Sequence, residues 1–387
     1  MSLHTRSLLA SLLSISMLAL GACGDDGGGT GGGGGGSGET EGCDGTSLLD
    51  VPSDTSLRGP WIVGARTVDV QGLRVEVFYP SAGGELADIQ PKRYDLRDFL
   101  PASEAAKVSD EVAPYQSCEC GDALPLDEAH GPYPVIVFVH GTASFRTQSL
   151  EQVVHWASRG FVVVAADHPG LYMGDFLGSL CGQEPPPRDL AGDIAKLVAA
   201  VQSPAGELAF LSGRVDATRI GMAGHSAGGA AVSTQGEVAR VLIPMAAGGA
   251  SSGAALERTL VLGAEEDKVV GFNQTIDGYE ATPPPRRLVS LTPAGHLAFA
   301  DLCDIRNDAG DDIVTVALAT DICGANLAGA LFDCGPGYME PARSALIVND
   351  ASAAAFEEVL HCAPARATWL DAIAERYPNE IGETRSE

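Results

Sequence analysis

Basic residues are scarce in this chain: 24 lysines and arginines stand against 51 aspartates and glutamates, for a formal net charge of -27. That deficit argues against nucleic acid as a partner, because a protein that neutralises phosphates needs a basic face. The acidic surplus is scattered rather than gathered into blocks, a pattern that favours solubility and disfavours anionic substrates near the surface. Long apolar runs are lacking too. The run over residues 8–20 is too short to span a bilayer comfortably, and with His4 and Arg6 ahead of it has the layout of a secretory signal. Metal-ligand spacing is also missing. The cysteines fit no zinc pattern, Cys118 and Cys120 being too close for the usual pair. Asp304, Asn307, Asp308, Asp311 and Asp312 lack the spacing of a calcium loop. Neither a metal nor a cofactor is expected.

What the chain has is a series of apolar runs separated by helical stretches. Residues 61–70 and 73–79 read as a first pair of strands, the second alternating cleanly. Residues 81–130 are polar and broken by prolines, an insertion that could rim an active site or be a structural excursion. Continuous apolar runs at 135–139 and 161–166 are those of strands buried on both faces of a parallel sheet. Further strands are expected at 220–223, 240–245, 258–262 and 287–291, and helices at 149–158, 189–202, 351–360 and 367–377. The 351–360 helix is expected to close the sheet edge. Strands alternating with helices give an α/β fold with a mostly parallel sheet.

The stretch 219–232 is the centre of the pattern. Its middle, Gly224-His225-Ser226-Ala227-Gly228, reads Gly-x-Ser-x-Gly, followed by the small residues Gly229, Ala230 and Ala231. A nucleophile elbow needs small neighbours, because a strand, a strained serine and a helix close up within a few residues. The motif alone is weak in a chain of 48 glycines, and it recurs around Ser251. That second match opens no helix, so context selects Ser226.

A serine nucleophile needs a base, an acid to orient the base, and donors for the oxyanion. His296 follows the last strongly marked strand, where the base belongs in the chain order Ser, acid, His. The acid is expected after the preceding strand. Asp267 is the choice there, with Glu266 as rival. His225 adjoins the serine and should point the wrong way; His140 and His168 more often hold loops together; His130, His155 and His361 read as surface or core residues. The oxyanion donors are expected to be the N–H of Ala227 and one from the turn after residue 139, Thr142 first with Ala143 also open.

These residues resemble a family. Residues 137–147, Val-Phe-Val-His-Gly-Thr-Ala-Ser-Phe-Arg-Thr, with residues 157–163, Ala-Ser-Arg-Gly-Phe-Val-Val, are similar to the plasma-type platelet-activating-factor acetylhydrolases and their bacterial relatives. The elbow at 224–229 and His296-Leu297-Ala298-Phe299-Ala300-Asp301 are similar to them too. The likeness runs discontinuously from about residue 75 to 301. It implies an α/β-hydrolase fold and a serine esterase, independent of metal, cleaving short or accessible acyl groups. Chlorophyllase-like and polyester-hydrolase relatives share the broad pattern, and a lipase or cutinase-like hydrolase is the runner-up. A non-catalytic binding module on the same fold is the reading from another class. The acidic loop at 265–267 and the cysteine-bearing stretch 303–334 depart from the acetylhydrolases.

The N-terminal segment ends in Leu20-Gly21-Ala22-Cys23, which resembles a bacterial lipobox, cut before a cysteine that is then lipidated. Residues 24–42 are nearly all glycine and cannot bury a core, so they read as a flexible tether. The expected organisation is a signal over 1–22, lipidated Cys23 and tether over 23–56, and a hydrolase domain over 57–387. Such a protein is exported and anchored to a membrane through Cys23, with an ester as its substrate. With Cys23 set aside, eight cysteines remain, an even set that in an exported chain suggests disulfides, several of them in the C-terminal region. Their connectivity and the oligomeric state are not legible.

Overall fold

Apolar, β-branched runs become strands here because their side chains fill both faces of a pleated sheet. In the computed structural model, which describes residues 39–41, 43–82, 84–330 and 332–387, a short antiparallel pair, β1 (Glu39–Glu41) and β2 (Ser47–Leu49), comes first. There follow β3 (Ile62–Val70), β4 (Leu73–Ser81), β5 (Pro91–Asp95), β6 (Tyr115–Asp122), β7 (Tyr133–Val139), β8 (Val162–Ala166) and β9 (Val215–His225). The last are β10 (Val241–Met245), β11 (Arg258–Ala264), β12 (Arg286–Leu291) and β13 (Ile381–Ser386). The strands β3 to β13 form one sheet of 11 strands in the order β13-β12-β11-β10-β9-β7-β8-β4-β3-β6-β5. From β12 to β8 neighbouring strands are parallel; β4 and β13 join that block antiparallel.

The helices are α1 (Ala102–Ala105), α2 (Leu150–Ser158), α3 (Met173–Leu180), α4 (Leu190–Gln202), α5 (Ala227–Val232), α6 (Phe272–Ala281), α7 (Ile313–Ala319), α8 (Pro341–Leu360), α9 (Ala365–Asp371) and α10 (Ile373–Arg376). One core joins α2 and α8 to the sheet through Ile136, Phe138, Ile243 and Leu262; the other joins α4 through Val135, Val137, Val164 and Met222. Each such side chain, fully buried, contributes about 1.5–3 kcal/mol.

Every strand expected from the sequence is present, and the differences have physical causes. Residues 81–130 are more than an excursion: β5 and β6 extend the sheet beyond β3. They escape a hydrophobic reading because the inward positions of β6 are Gln116, Cys118 and Cys120. The helix expected over 351–360 begins at Pro341, and it does not close the sheet edge. It lies on the sheet face against β9, β10 and β11 and beside α2, and the apolar residues of its first half, 345–348, form one short run rather than a helical stripe. The edge is closed by β13, whose alternating exposure leaves Ile381 as its one buried residue. The helix expected over 367–377 is two short ones that meet at Ala372.

The tether boundary is also corrected. Residues 23–38, including Cys23, lie outside the described residues, but 43–56 are packed onto the body that carries the 11-stranded sheet. Cys43 is disulfide-bonded to Cys362, the Arg159 guanidinium donates to the carbonyls of Pro52 and Leu57, and the Thr55 hydroxyl meets Asp350. The remaining cysteines pair as Cys118–Cys120, Cys181–Cys323 and Cys303–Cys334. Among the described residues, no helix is long and apolar enough to cross a membrane.

Candidate active site

The buried strand β9 ends at His225, and Ser226 takes φ 55° and ψ -119° before α5 begins at Ala227. A non-glycine residue there is strained, and the surroundings hold it. The Ser226 N–H donates to the Met245 carbonyl at 2.9 Å. A Cβ on Gly228 would lie 2.1 Å from the Val139 carbonyl oxygen, and one on Gly224 would lie 2.5 Å from the backbone of Gly228. Only glycine allows the strand, the turn and the helix to approach this closely. The Ser226 side chain makes no capping bond to α5, and it lines a cavity of about 450 Å³ together with His296.

His296 sits in a turn after β12. Its Nδ1 lies 2.8 Å from Asp267 Oδ2, and both residues are buried. The other oxygen of Asp267 accepts the N–H groups of Val269 and Val270 at 2.7 and 2.8 Å, which fixes the carboxylate. Glu266 points elsewhere. It accepts the Ala294 N–H at 2.7 Å and the Thr292 hydroxyl at 3.3 Å, bracing the loop that carries His296. The same loop is held from the other side by Asp333, which accepts the N–H groups of His296 and Leu297. Nothing in the sequence pattern marks Asp333, a lone acid in a loop far downstream.

The other histidines divide by task. His225 turns beneath His296: its Nε2 donates to the His296 carbonyl at 2.9 Å, and the two rings are 4.6 Å apart. Burial, then the neighbouring His296, pushes its pKa well below the usual range, so the ring is neutral. Burial, then His168, likewise brings His140 down to about 3. Its Nδ1 donates to the Gly141 carbonyl and its Nε2 accepts the His168 N–H, bolting the turns after β7 and β8 together. His168 and His130 face Asp193 and Asp127, His155 bonds the Thr55 carbonyl, and His361 stacks on Phe161. Among the described residues, only His225 and His296 of the histidines share the Ser226 cavity. Ser251 is in an exposed loop, its N–H bonded to the Ser233 carbonyl.

The turn after β7 carries both residues expected to offer the second oxyanion donor, Thr142 and Ala143. Ala143, at φ 57°, has its N–H engaged by the Leu171 carbonyl at 2.9 Å. Gln148 accepts the Gly141 N–H at 2.7 Å and so shapes the turn. Arg146 pins it from below, with its N–H and its guanidinium both donating to Asp167. Ala227 opens α5, where a backbone N–H has no partner within the helix. A larger cavity, about 590 Å³, lies around Arg58, Glu119, Glu151 and Asp301 and holds none of the residues expected to react. The acidic stretch 304–312 is taken up locally: Asp312 caps α7, and Asn307 accepts the N–H groups of Ala309 and Asp311.

Against known proteins, residues 58–170 match the family model described as platelet-activating factor acetylhydrolase, isoform II. The match takes in the turn after β7 and stops short of Ser226 and His296. No curated protein sequence matches the chain. Among solved structures, a ferulic acid esterase from Streptomyces cinnamoneus is similar, with a TM-score of 0.52 at 20% identity over 77% of this chain and 90% of that one. The chain has the α/β-hydrolase fold, and the family-model match over residues 58–170 supports an esterase-type hydrolase.

Proposed function

We propose that the protein is an extracytoplasmic serine hydrolase of carboxylic esters that works through an acyl-enzyme. The observation that carries this reading is the strained Ser226 opening on the same cavity as a His296 ring bonded to Asp267 at 2.8 Å. Ser226 Oγ attacks the ester carbonyl while His296 Nε2 takes its proton. Asp267 holds the ring in the tautomer with Nδ1 protonated and stabilises the imidazolium. The carbonyl oxygen, now negative, receives the N–H groups of Ala227 and Thr142. The alcohol leaves with the proton from His296, and water repeats the sequence to release the acid and restore Ser226.

Ser226→Ala is expected to reduce hydrolysis of p-nitrophenyl acetate to background while leaving the circular dichroism and melting temperature unchanged. Parent-level hydrolysis by the folded variant would remove Ser226 from the mechanism. Export is supported by the four cysteine pairs, which persist in oxidising compartments. Anchoring through lipidated Cys23 remains part of the proposal, tested by whether Cys23→Ser moves the protein from the membrane fraction to the soluble one.

A further inference from the structure

We propose that the cavity over Ser226 is a preformed chamber for one neutral, apolar arm of the ester, which makes esters of medium-chain or similarly bulky apolar groups the substrate class. The inference rests on the reading of Ser226 as nucleophile. Its first support is size. A volume of about 450 Å³ is far more than an acetyl group fills. At about 30 Å³ per small heavy-atom unit, the share of one liquid water, it has room for an arm of roughly eight to twelve heavy atoms plus the reacting ester.

The second support is the chemistry of the walls. Away from the triad and the oxyanion turn they are made of side chains such as Leu177, Leu302, Val316, Ile322, Ala325 and Phe332. Among the described residues, the one lysine, arginine or acid in the lining is Arg97, and its guanidinium is already paired with Asp95 and Asp110. A charged or zwitterionic group carried inside would lose its water and find no partner.

The third support is that the roof is tied down before substrate arrives. It comes from three separated parts of the chain, residues 96–114, α3 and residues 313–328, which meet in a small core of Val108, Val316 and Ile322 with Leu177 against it. The disulfide Cys181–Cys323 joins the second part to the third. Glu104 accepts the Cys323 N–H at 2.8 Å, and the Lys107 ammonium donates to the Asp321 carbonyl at 2.7 Å, joining the first to the third. A chamber held this way takes its ligand without an ordering cost. Its mouth is apolar as well: Val269 and Leu327 line it and are 43% and 47% exposed.

The test is a pair of ester series hydrolysed by the purified chain below the micelle concentration of each ester. One is p-nitrophenyl acyl esters from acetate to laurate, the other alkyl acetates from ethyl to dodecyl. The expected result is a rise in kcat/KM of at least tenfold between the shortest ester and those with eight to ten carbons in one series, carried mainly by KM; the responding series identifies the arm. Ala325→Trp, which fills the chamber, is expected to cut the ratio of decanoate to acetate kcat/KM about tenfold. Acetate hydrolysis with kcat/KM flat or falling with length in both series overturns the chamber while leaving the nucleophile standing. Failure on every ester, together with no fluorophosphonate on Ser226, overturns the nucleophile and the chamber with it.

Discussion

At the residue scale, two adjacent acids have different partners. Asp267 meets the His296 ring, and Glu266 meets the backbone two residues before it. Asp267→Asn is therefore expected to lower kcat by about 10²–10⁴-fold, because the ring loses the carboxylate that fixes its tautomer. Glu266→Gln, which keeps an oxygen for the Ala294 N–H, is expected to change kcat less than about threefold, a loss on the scale of one weakened hydrogen bond. Steady-state kinetics on p-nitrophenyl acetate separate the two; equal losses would mean that both acids serve the ring. His225→Phe removes the donor to the His296 carbonyl, with an expected loss of about tenfold in kcat, on the scale of one hydrogen bond of about 1.4 kcal/mol. The pH dependence is expected to keep its shape, since the neutral His225 does not titrate in the working range.

The positions of Ser226, Asp267 and His296 were legible because each follows a strand whose apolar run marks its own end. The supporting shell was not. His225 reads as a neighbour of the serine, and only the fold turns its ring toward His296; Asp333 reaches the same loop from a region with no periodicity.

At the scale of elements, the parallel centre of the sheet was legible because strands buried on both faces are continuous apolar runs. The edges were not: β13 is half exposed, and the inward positions of β6 hold polar or small residues. The first half of α8 was missed for another reason: its apolar residues, 345–348, fall as one short run, which carries no helical period. Its packing gives a prediction of its own. The Trp156 indole N–H donates to the Ser352 hydroxyl at 2.8 Å, joining α2 to α8 inside the core. Ser352→Ala leaves that donor unsatisfied and is expected to destabilise the protein by about 1–3 kcal/mol in urea unfolding. The Cys43–Cys362 pair holds residues 43–56 against the end of α8, and none of these residues lines the cavity. Replacing both cysteines by serine is expected to cost about 2–5 kcal/mol with kcat unchanged. A fall in kcat that tracks neither variant's loss of stability would show that these contacts reach the site.

For the whole molecule, stability should depend on pH through buried neutral histidines. Burial, reinforced by His168, Arg159 and Arg219 respectively, brings His140, His155 and His361 each to about 3. The unfolded chain binds a proton at each near pH 6.5 and the folded chain does not. Their stabilisation is thus complete above about pH 6.5 and falls by roughly 1.4 kcal/mol per pH unit per histidine down to pH 3. Asp193 adds to the loss lower down: burial opposes its charge but His168 and Lys196 outweigh it, so its share is lost as pH falls below about 4. Asp301 works against the trend, since burial beside Glu151 holds it well above the carboxylate range. The urea midpoint is expected to be level from pH 8 to 7 and to drop steeply between pH 6 and 4. A midpoint unchanged down to pH 5 would mean that these rings are solvated.

All of the chemistry depends on Ser226 being an activated nucleophile. The most direct measurement is to treat the purified, folded chain with a fluorophosphonate and map the modified peptide by mass spectrometry. One label is expected, on Ser226, lost in His296→Ala at the same reaction time. A folded chain that takes no label, or takes it on another serine such as Ser251, would contradict the assignment of the site.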